Sequence, residues 1–284
     1  MDALNAYVPP NNSNSMAYKT MIKNSVREAL KRGEPQVGTW LSLSSPVAAR
    51  FMARAGFPWL TVDMEHSNCD WETASAIFAH VAEAGCVPLI RVPSITHQNA
   101  KRALDLGAYG IVFPMCNTVE LAELAVASCK YPPTGTRSVG GSVHALNFGT
   151  NAAEYYKRAN DEVLVVVQAE HIDAVENIDQ ILSVPGVDAV FVGPNDLLAS
   201  MGKTPQMETD DPQFVQALER ILRSAKSHGV APGIHVADAP TALRRIEQGW
   251  QFIAVSSELG FMNQAVAATI QGLGRSGSGP LARY

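Results

Sequence analysis

Eight short apolar runs recur along the chain, at 37–41, 60–63, 88–92, 110–113, 164–168, 189–192, 232–235 and 252–255. Each is four or five residues long and nearly continuous in apolar character, the pattern of strands buried on both faces in a parallel sheet. Between them, segments with helical spacing of apolar residues predict helices at 71–84, 97–106, 119–129, 174–182, 212–227 and 240–248. Several of these end beside a glycine (Gly85, Gly107, Gly229, Gly249), the residue that most easily takes the left-handed turn closing a helix. Eight strands alternating with helices predict an α/β chain closed into a (β/α)8 barrel. A doubly wound open sheet is the rival, but no GxGxxG follows the first strand. The stretch 130–161 reads as the longest irregular connection.

Length and composition fit one barrel domain. The chain has 284 residues, of which 46% are hydrophobic and 17% charged, and we expect a single domain over 17–273. Residues 1–16 and 274–284 have no apolar period, so a disordered extension and a flexible tail are expected there. Twenty-two basic and 27 acidic residues leave a net charge of −5, with no basic block, which argues against a nucleic-acid partner. The apolar runs are too short to span a bilayer, and no signal-like core opens the chain. A cytoplasmic protein is therefore expected. Cys69, Cys86, Cys116 and Cys129 form no CxxC pair and read as reduced packing thiols.

In such a barrel the chemistry belongs at the C-terminal ends of the strands. Asp63, Glu65 and His66 stand after the second strand, Arg91 in the third, Gln168 and Glu170 at the end of the fifth, and Gly193, Pro194, Asn195 and Asp196 after the sixth. Glu170 and Asp196 lie one strand apart, and neighbouring strands are about 4.8 Å apart, so both carboxylates can reach one hard divalent cation. Taken singly, Asp196 could be a helix cap and Glu170 a surface loop residue. His66 has the chemistry of a general base; His235, ending the seventh strand, is a weaker candidate to line the pocket. Arg91 interrupts an apolar strand and calls for an anionic partner, either a substrate carboxylate or a neighbour such as Glu65. No lysine falls within a predicted strand, which disfavours Schiff-base chemistry.

The segments VDMEH (62–66), PLIRVP (88–93), KRALDLGAYGIVFPM (101–115), YPPTGTRSVG (131–140), VQAE (167–170) and VFVGPNDL (190–197) occur in order. Together they resemble the HpcH/HpaI aldolase family, over roughly residues 20–270; AGCVPLIRVP and YPPTGTR resemble its macrophomate synthase branch. The resemblance implies a barrel of the phosphoenolpyruvate/pyruvate-binding type, usually a homohexamer whose last helix swaps between subunits. It implies a class II aldolase, dependent on Mg²⁺, Mn²⁺ or Co²⁺, that makes or cleaves 4-hydroxy-2-oxoacids through the enolate of pyruvate. By motif, Glu170 and Asp196 match the metal ligands, Arg91 the arginine that holds the enolate, and His66 the catalytic base. Asp105 matches the acidic partner of that base, Gln168 a residue near the bound 2-oxoacid, and Asp63 and Glu65 residues close to the metal's waters. The family often reads Arg-Gly-Val-Gly where this chain has Arg137, Ser138, Val139, Gly140 and Gly141. An oxaloacetate decarboxylase or macrophomate synthase-like enzyme would share the enolate but not the electrophile, the aldehyde. A non-catalytic 2-oxoacid-binding protein would bind without proton exchange.

Overall fold

In the computed structural model, which describes residues 21–275, all eight apolar runs are strands of one sheet. They are β1 (Gln36–Leu41), β2 (Trp59–Asp63), β3 (Val87–Arg91), β4 (Gly110–Phe113), β5 (Leu164–Gln168), β6 (Ala189–Val192), β7 (Ala231–Val236) and β8 (Phe252–Ser257). Every strand pairs in parallel with its neighbours in sequence, and β8 returns to β1, so the barrel is closed. Closure leaves no sheet edge and buries both faces of each strand, hence the unbroken apolar runs.

Helix α1 (Ser25–Lys31) precedes the barrel. α2 (Pro46–Met52), α3 (Trp71–Glu83) and α4 (His97–Asp105) follow the first three strands. α5 (Val119–Cys129), α6 (Val143–Asn147) and α7 (Ala152–Glu162) lie between β4 and β5. α8 (Ile172–Glu176) and α9 (Ile178–Leu182) follow β5, α10 (Pro194–Ser200) and α11 (Pro212–His228) follow β6, α12 (Ala239–Gln248) follows β7, and α13 (Glu258–Gly272) follows β8. Short polar side chains start them: Asp70, Thr96 and Thr118 accept hydrogen bonds from Thr73, Asn99 and Leu121 backbone N–H groups. Gly229 and Gly249, at φ 66° and 99°, close α11 and α12.

Two predicted features differ. The connection 130–161 is not irregular: it carries α6 and α7, whose buried faces are short (Tyr155 and Ala159 in α7) and give too few apolar repeats to stand out. The segment 174–182 is two short helices that meet at Asn177, whose Nδ2 donates to Asn117 O at 2.9 Å. The expected extension 1–16 lies outside the described residues, as does the tail beyond Arg275.

The barrel interior is aromatic. Trp59 stacks on Phe252 (centroids 4.3 Å apart), Phe252 meets Phe191 edge-on (5.8 Å), and Phe191 meets Trp40 edge-on (5.6 Å). Gly38 in β1 makes room: a Cβ there would lie 2.2 Å from the Trp59 ring. All four cysteines are buried and unpaired. Among the described residues no helix is long and apolar enough to cross a membrane. Helix α13 buries only Glu258, and leaves Met262 and Val266 about half exposed.

Candidate active site

The aromatic column ends in a pocket at the C-terminal mouth of the barrel. Trp40, Arg91, Gln168, Glu170, Asp196 and His235 line it, with Phe191 below and Gly193 and Asn195 beside it. The backbone is strained around this mouth: the non-glycine residues with positive φ among those described are Ser44 (53°), Met115 (50°) and Ser256 (51°), all at or just beyond C-terminal strand ends.

Glu170 is buried, not a surface loop residue. Its Oε1 accepts from Met115 N at 2.8 Å and its Oε2 from Gln168 Nε2 at 2.7 Å. Burial pushes its pKa up to about 7; the Met115 N–H and Arg91 oppose the rise, and Asp196 and Glu65 add to it. Gly193 is the glycine this carboxylate requires, since a Cβ there would stand 2.7 Å from Oε2. Asp196 is not the cap of α10: Gly193 holds that place, and Asp196 sits in the first turn, exposed, on the rim of the same pocket.

Arg91 is held on several sides. Its Nε and NH2 donate to Asp63 Oδ1 and Oδ2 at 2.9 and 2.7 Å, NH1 lies 3.3 Å from Glu65 Oε2, and the guanidinium stands 4.7 Å from the Trp40 ring centroid. Burial opposes ionisation of Asp63, but the Arg91 bonds and charge outweigh it and hold the carboxyl below its usual range. Asp63 therefore clasps the arginine directly. Burial raises the Glu65 pKa against the pull of Arg91.

His66 is exposed at the rim, with Nε2 3.8 Å from Glu65 Oε2. Asp105 is not beside it. Asp105 is the last residue of α4, the helix that returns the chain from the C-terminal end of β3 toward the start of β4, so it lies at the opposite end of the barrel. There its Oδ1 accepts from Arg137 NH2 at 2.8 Å. His235 lines the pocket as expected; its Nε2 donates to Ser256 O at 2.9 Å, and burial pushes its pKa down to about 4, so it is neutral. Lys130 is buried despite lying outside the strands, but its Nζ donates to Asn160 O and Val163 O, before β5 and away from the mouth.

Sequence reasoning passed over Trp40 and Phe191, because an aromatic residue in an apolar strand reads as core. Gly193 did carry a signal, standing between an apolar strand and Pro194.

Residues 36–265 match the HpcH/HpaI aldolase/citrate lyase family. The chain belongs to this family. A curated relative, the 5-keto-4-deoxy-D-glucarate aldolase of Escherichia coli, is 38% identical over 245 residues, spanning 86% of this chain and 94% of its own length. The structure of an HpcH/HpaI aldolase/citrate lyase family protein from Burkholderia cenocepacia is 36% identical, with a TM-score of 0.82 over 88% of this chain and 99% of the other. A macrophomate synthase structure shares the fold (TM-score 0.78, covering 94% and 97% of the two chains) at 23% identity. As a family member, the chain has aldolase-type carbon–carbon lyase chemistry.

Among the described residues no group of three or more His, Cys, Asp or Glu side chains is arranged to hold a metal ion. The pocket nevertheless suits a hard divalent cation. It pairs the Glu170 and Asp196 carboxylates, and Gln168 Oε1 is buried there with no hydrogen-bond partner. Such ions take oxygen ligands and keep several waters.

Proposed function

We propose that this protein is a divalent-metal-dependent class II aldolase that cleaves or forms 4-hydroxy-2-oxoacids through the enolate of pyruvate. The observation that carries the reading is one pocket holding two metal-suited carboxylates, Glu170 and Asp196, beside an arginine fixed by Asp63.

Glu170 and Asp196 would hold the ion, Mg²⁺, Mn²⁺ or Co²⁺, which would supply positive charge to stabilise the enolate of the 2-oxoacid. Arg91 carries a fixed cation into the pocket, aimed where negative charge grows as the C3–C4 bond breaks. Its orientation is set before substrate arrives, because Asp63 grips one edge and Trp40 packs against the guanidinium. The buried Gln168 amide holds Glu170 through Nε2, which leaves Oε1 for a donor that enters with the ligand. In the cleavage direction His66 takes the proton of the 4-hydroxyl, and pyruvate and an aldehyde leave. Within one chain its acidic neighbour is Glu65. The Asp105 matched by motif can support His66 only from a second copy, given its place at the far end of the barrel. A homo-oligomer, a hexamer by family likeness, fits the exposed Met262 and Val266 of α13 and the exposed Val47 and Phe51 of α2.

The test is deuterium exchange of the pyruvate methyl group in D₂O by proton NMR, with Mg²⁺ or Mn²⁺ and then with excess EDTA. The expected result is exchange that needs the metal, followed by turnover in an aldehyde screen. Pyruvate binding with no exchange would favour the binding-protein reading, and CO₂ release from oxaloacetate without aldol turnover the decarboxylase.

A further inference from the structure

Away from the mouth, a second set of polar groups gathers around Arg137, with Arg137 Nε, Tyr131 OH and both His144 ring nitrogens buried without a hydrogen-bond partner among the described residues. Arg137 is completely buried, and its guanidinium carbon stands 4.4 Å from the Tyr131 ring centroid and 5.5 Å from that of Tyr155. NH1 donates to Tyr155 OH at 3.1 Å and NH2 to Asp105 Oδ1 at 2.8 Å. His144 packs on Tyr155, with ring centroids 4.0 Å apart; burial, with the Arg137 charge, pushes its pKa down to about 4, so it adds no second cation near neutrality. Gly141, at φ 74°, lies beside the acid, where a Cβ would make ordinary contact with Asp105 Cβ at 3.7 Å, and Tyr156 OH donates to its carbonyl at 2.9 Å.

Packing alone does not explain this arrangement. Burying a guanidinium is costly, and a well-packed apolar side chain of similar volume often stabilises as well or better. What the cluster does provide is a carboxylate of fixed direction. Asp105 is only partly covered, with its side chain 26% exposed, and its carboxylate makes no other hydrogen bond among the described residues. One oxygen is pinned from inside, and the group faces outward at a surface.

We propose that Arg137 is a positioning residue, fixed against Tyr131 and Tyr155, that aims the Asp105 carboxylate at the His66 of a second copy of this chain. The inference rests on the aldolase reading above. It assigns a task to YPPTGTR: the segment from Tyr131 to Arg137 wraps back on α4 to orient the last residue of that helix.

A double-mutant cycle in the full-length protein tests it. Arg137→Met, Asp105→Asn and the double variant are compared in cleavage of a 4-hydroxy-2-oxoacid, with kcat, KM, the pH profile and oligomeric state measured for each. Arg137→Met should lower kcat about 10- to 100-fold, part of the roughly 100- to 10,000-fold that acid–base assistance is usually worth, with KM within about twofold. The acid limb of its pH profile should move as in Asp105→Asn, a shift that loosened packing alone would not produce. The double variant should be no slower than Asp105→Asn, and Arg137→Lys should recover part of the loss. Losses that multiply in the double variant, or a wild-type kcat in Arg137→Met, overturn the proposal. Should Arg137→Met fail to fold, Tyr155→Phe removes one bond to Arg137 and keeps the ring; it should slow the wild type severalfold and leave Asp105→Asn unchanged. Co-expression of His66→Ala with Arg137→Met chains should raise activity above that of either variant alone, and no increase removes the second-copy part. A wild type without metal-dependent pyruvate exchange or aldol turnover removes the aldolase reading and this inference together, whereas an active wild type with multiplying losses removes only the inference.

Discussion

Asp63 and Arg91 face each other across β2 and β3 at one register position and close fork to fork, Nε to Oδ1 at 2.9 Å and NH2 to Oδ2 at 2.7 Å. The pair is buried, so its geometry is protected from solvent and rigid. Asp63→Asn would turn an amide N–H toward the guanidinium and leave it under-neutralised. The expected outcome is a loss of about 3 kcal/mol in stability, with pyruvate affinity down at least tenfold. Thermal unfolding and calorimetric titration of pyruvate measure the two parts. Arg91→Lys should also lose most activity, because an ammonium cannot reproduce the planar fork.

Gly193 and Gly140 form a matched pair of probes. A Cβ at Gly193 would press on Glu170 Oε2 at 2.7 Å, whereas one at Gly140 meets nothing within 4 Å. Gly193→Ala should weaken divalent-ion binding at least tenfold by displacing that carboxylate. Gly140→Ala should leave ion affinity and melting temperature near wild type. Equal behaviour of the two variants in ion titrations would dissociate Gly193 from the Glu170 site.

The raised pKa of Glu170, about 7, fixes a direction for pH dependence. The folded, metal-free protein favours the neutral carboxyl. That stabilisation is complete below the unfolded value, near 4.5, and is lost as pH rises through about 7; its size is on the order of 2–3 kcal/mol. Between pH 5 and 8 the metal-free wild type should lose stability relative to Glu170→Gln, whose side chain does not titrate. A bound cation requires the ionised form, so ion affinity should fall as pH drops below about 7. Melting curves of both proteins, with and without Mn²⁺ across this range, check both statements.

His66→Ala should reduce aldol cleavage by about 100-fold or more and leave ion binding intact, since His66 sits on the rim, apart from Glu170 and Asp196. Unchanged cleavage would remove it from the mechanism. Glu65→Gln tests the in-chain acid beside it: Glu65 also touches Arg91 at 3.3 Å, so this variant should raise KM for the 2-oxoacid as well as lower kcat. A pure kcat effect would assign Glu65 to His66 alone.

Much of the barrel was legible because strands buried on both faces leave unbroken apolar runs. All eight strand positions match, and the polar residues that follow those runs mark the mouth. The elements between β4 and β5 were not legible, since α6 and α7 bury too few side chains to show a period. Arg137 stayed hidden for a related reason: an arginine among glycines and prolines reads as solvent-exposed, and only the tyrosines brought to it from 131 and 155 make it buried.

By itself the sequence determined the strand–helix alternation, the cast of carboxylates, arginine and histidine at strand ends, and the family motifs that name their chemistry. Those are local properties, set by burial of each segment and by residue type. Only the tertiary structure decided who touches whom. Barrel closure sets the register that joins Asp63 to Arg91, brings Trp40 under the guanidinium, places Gly193 against Glu170 and sends Asp105 to the end opposite His66. These contacts join residues far apart in sequence, and no local period records them, because they arise when eight strands close on one another.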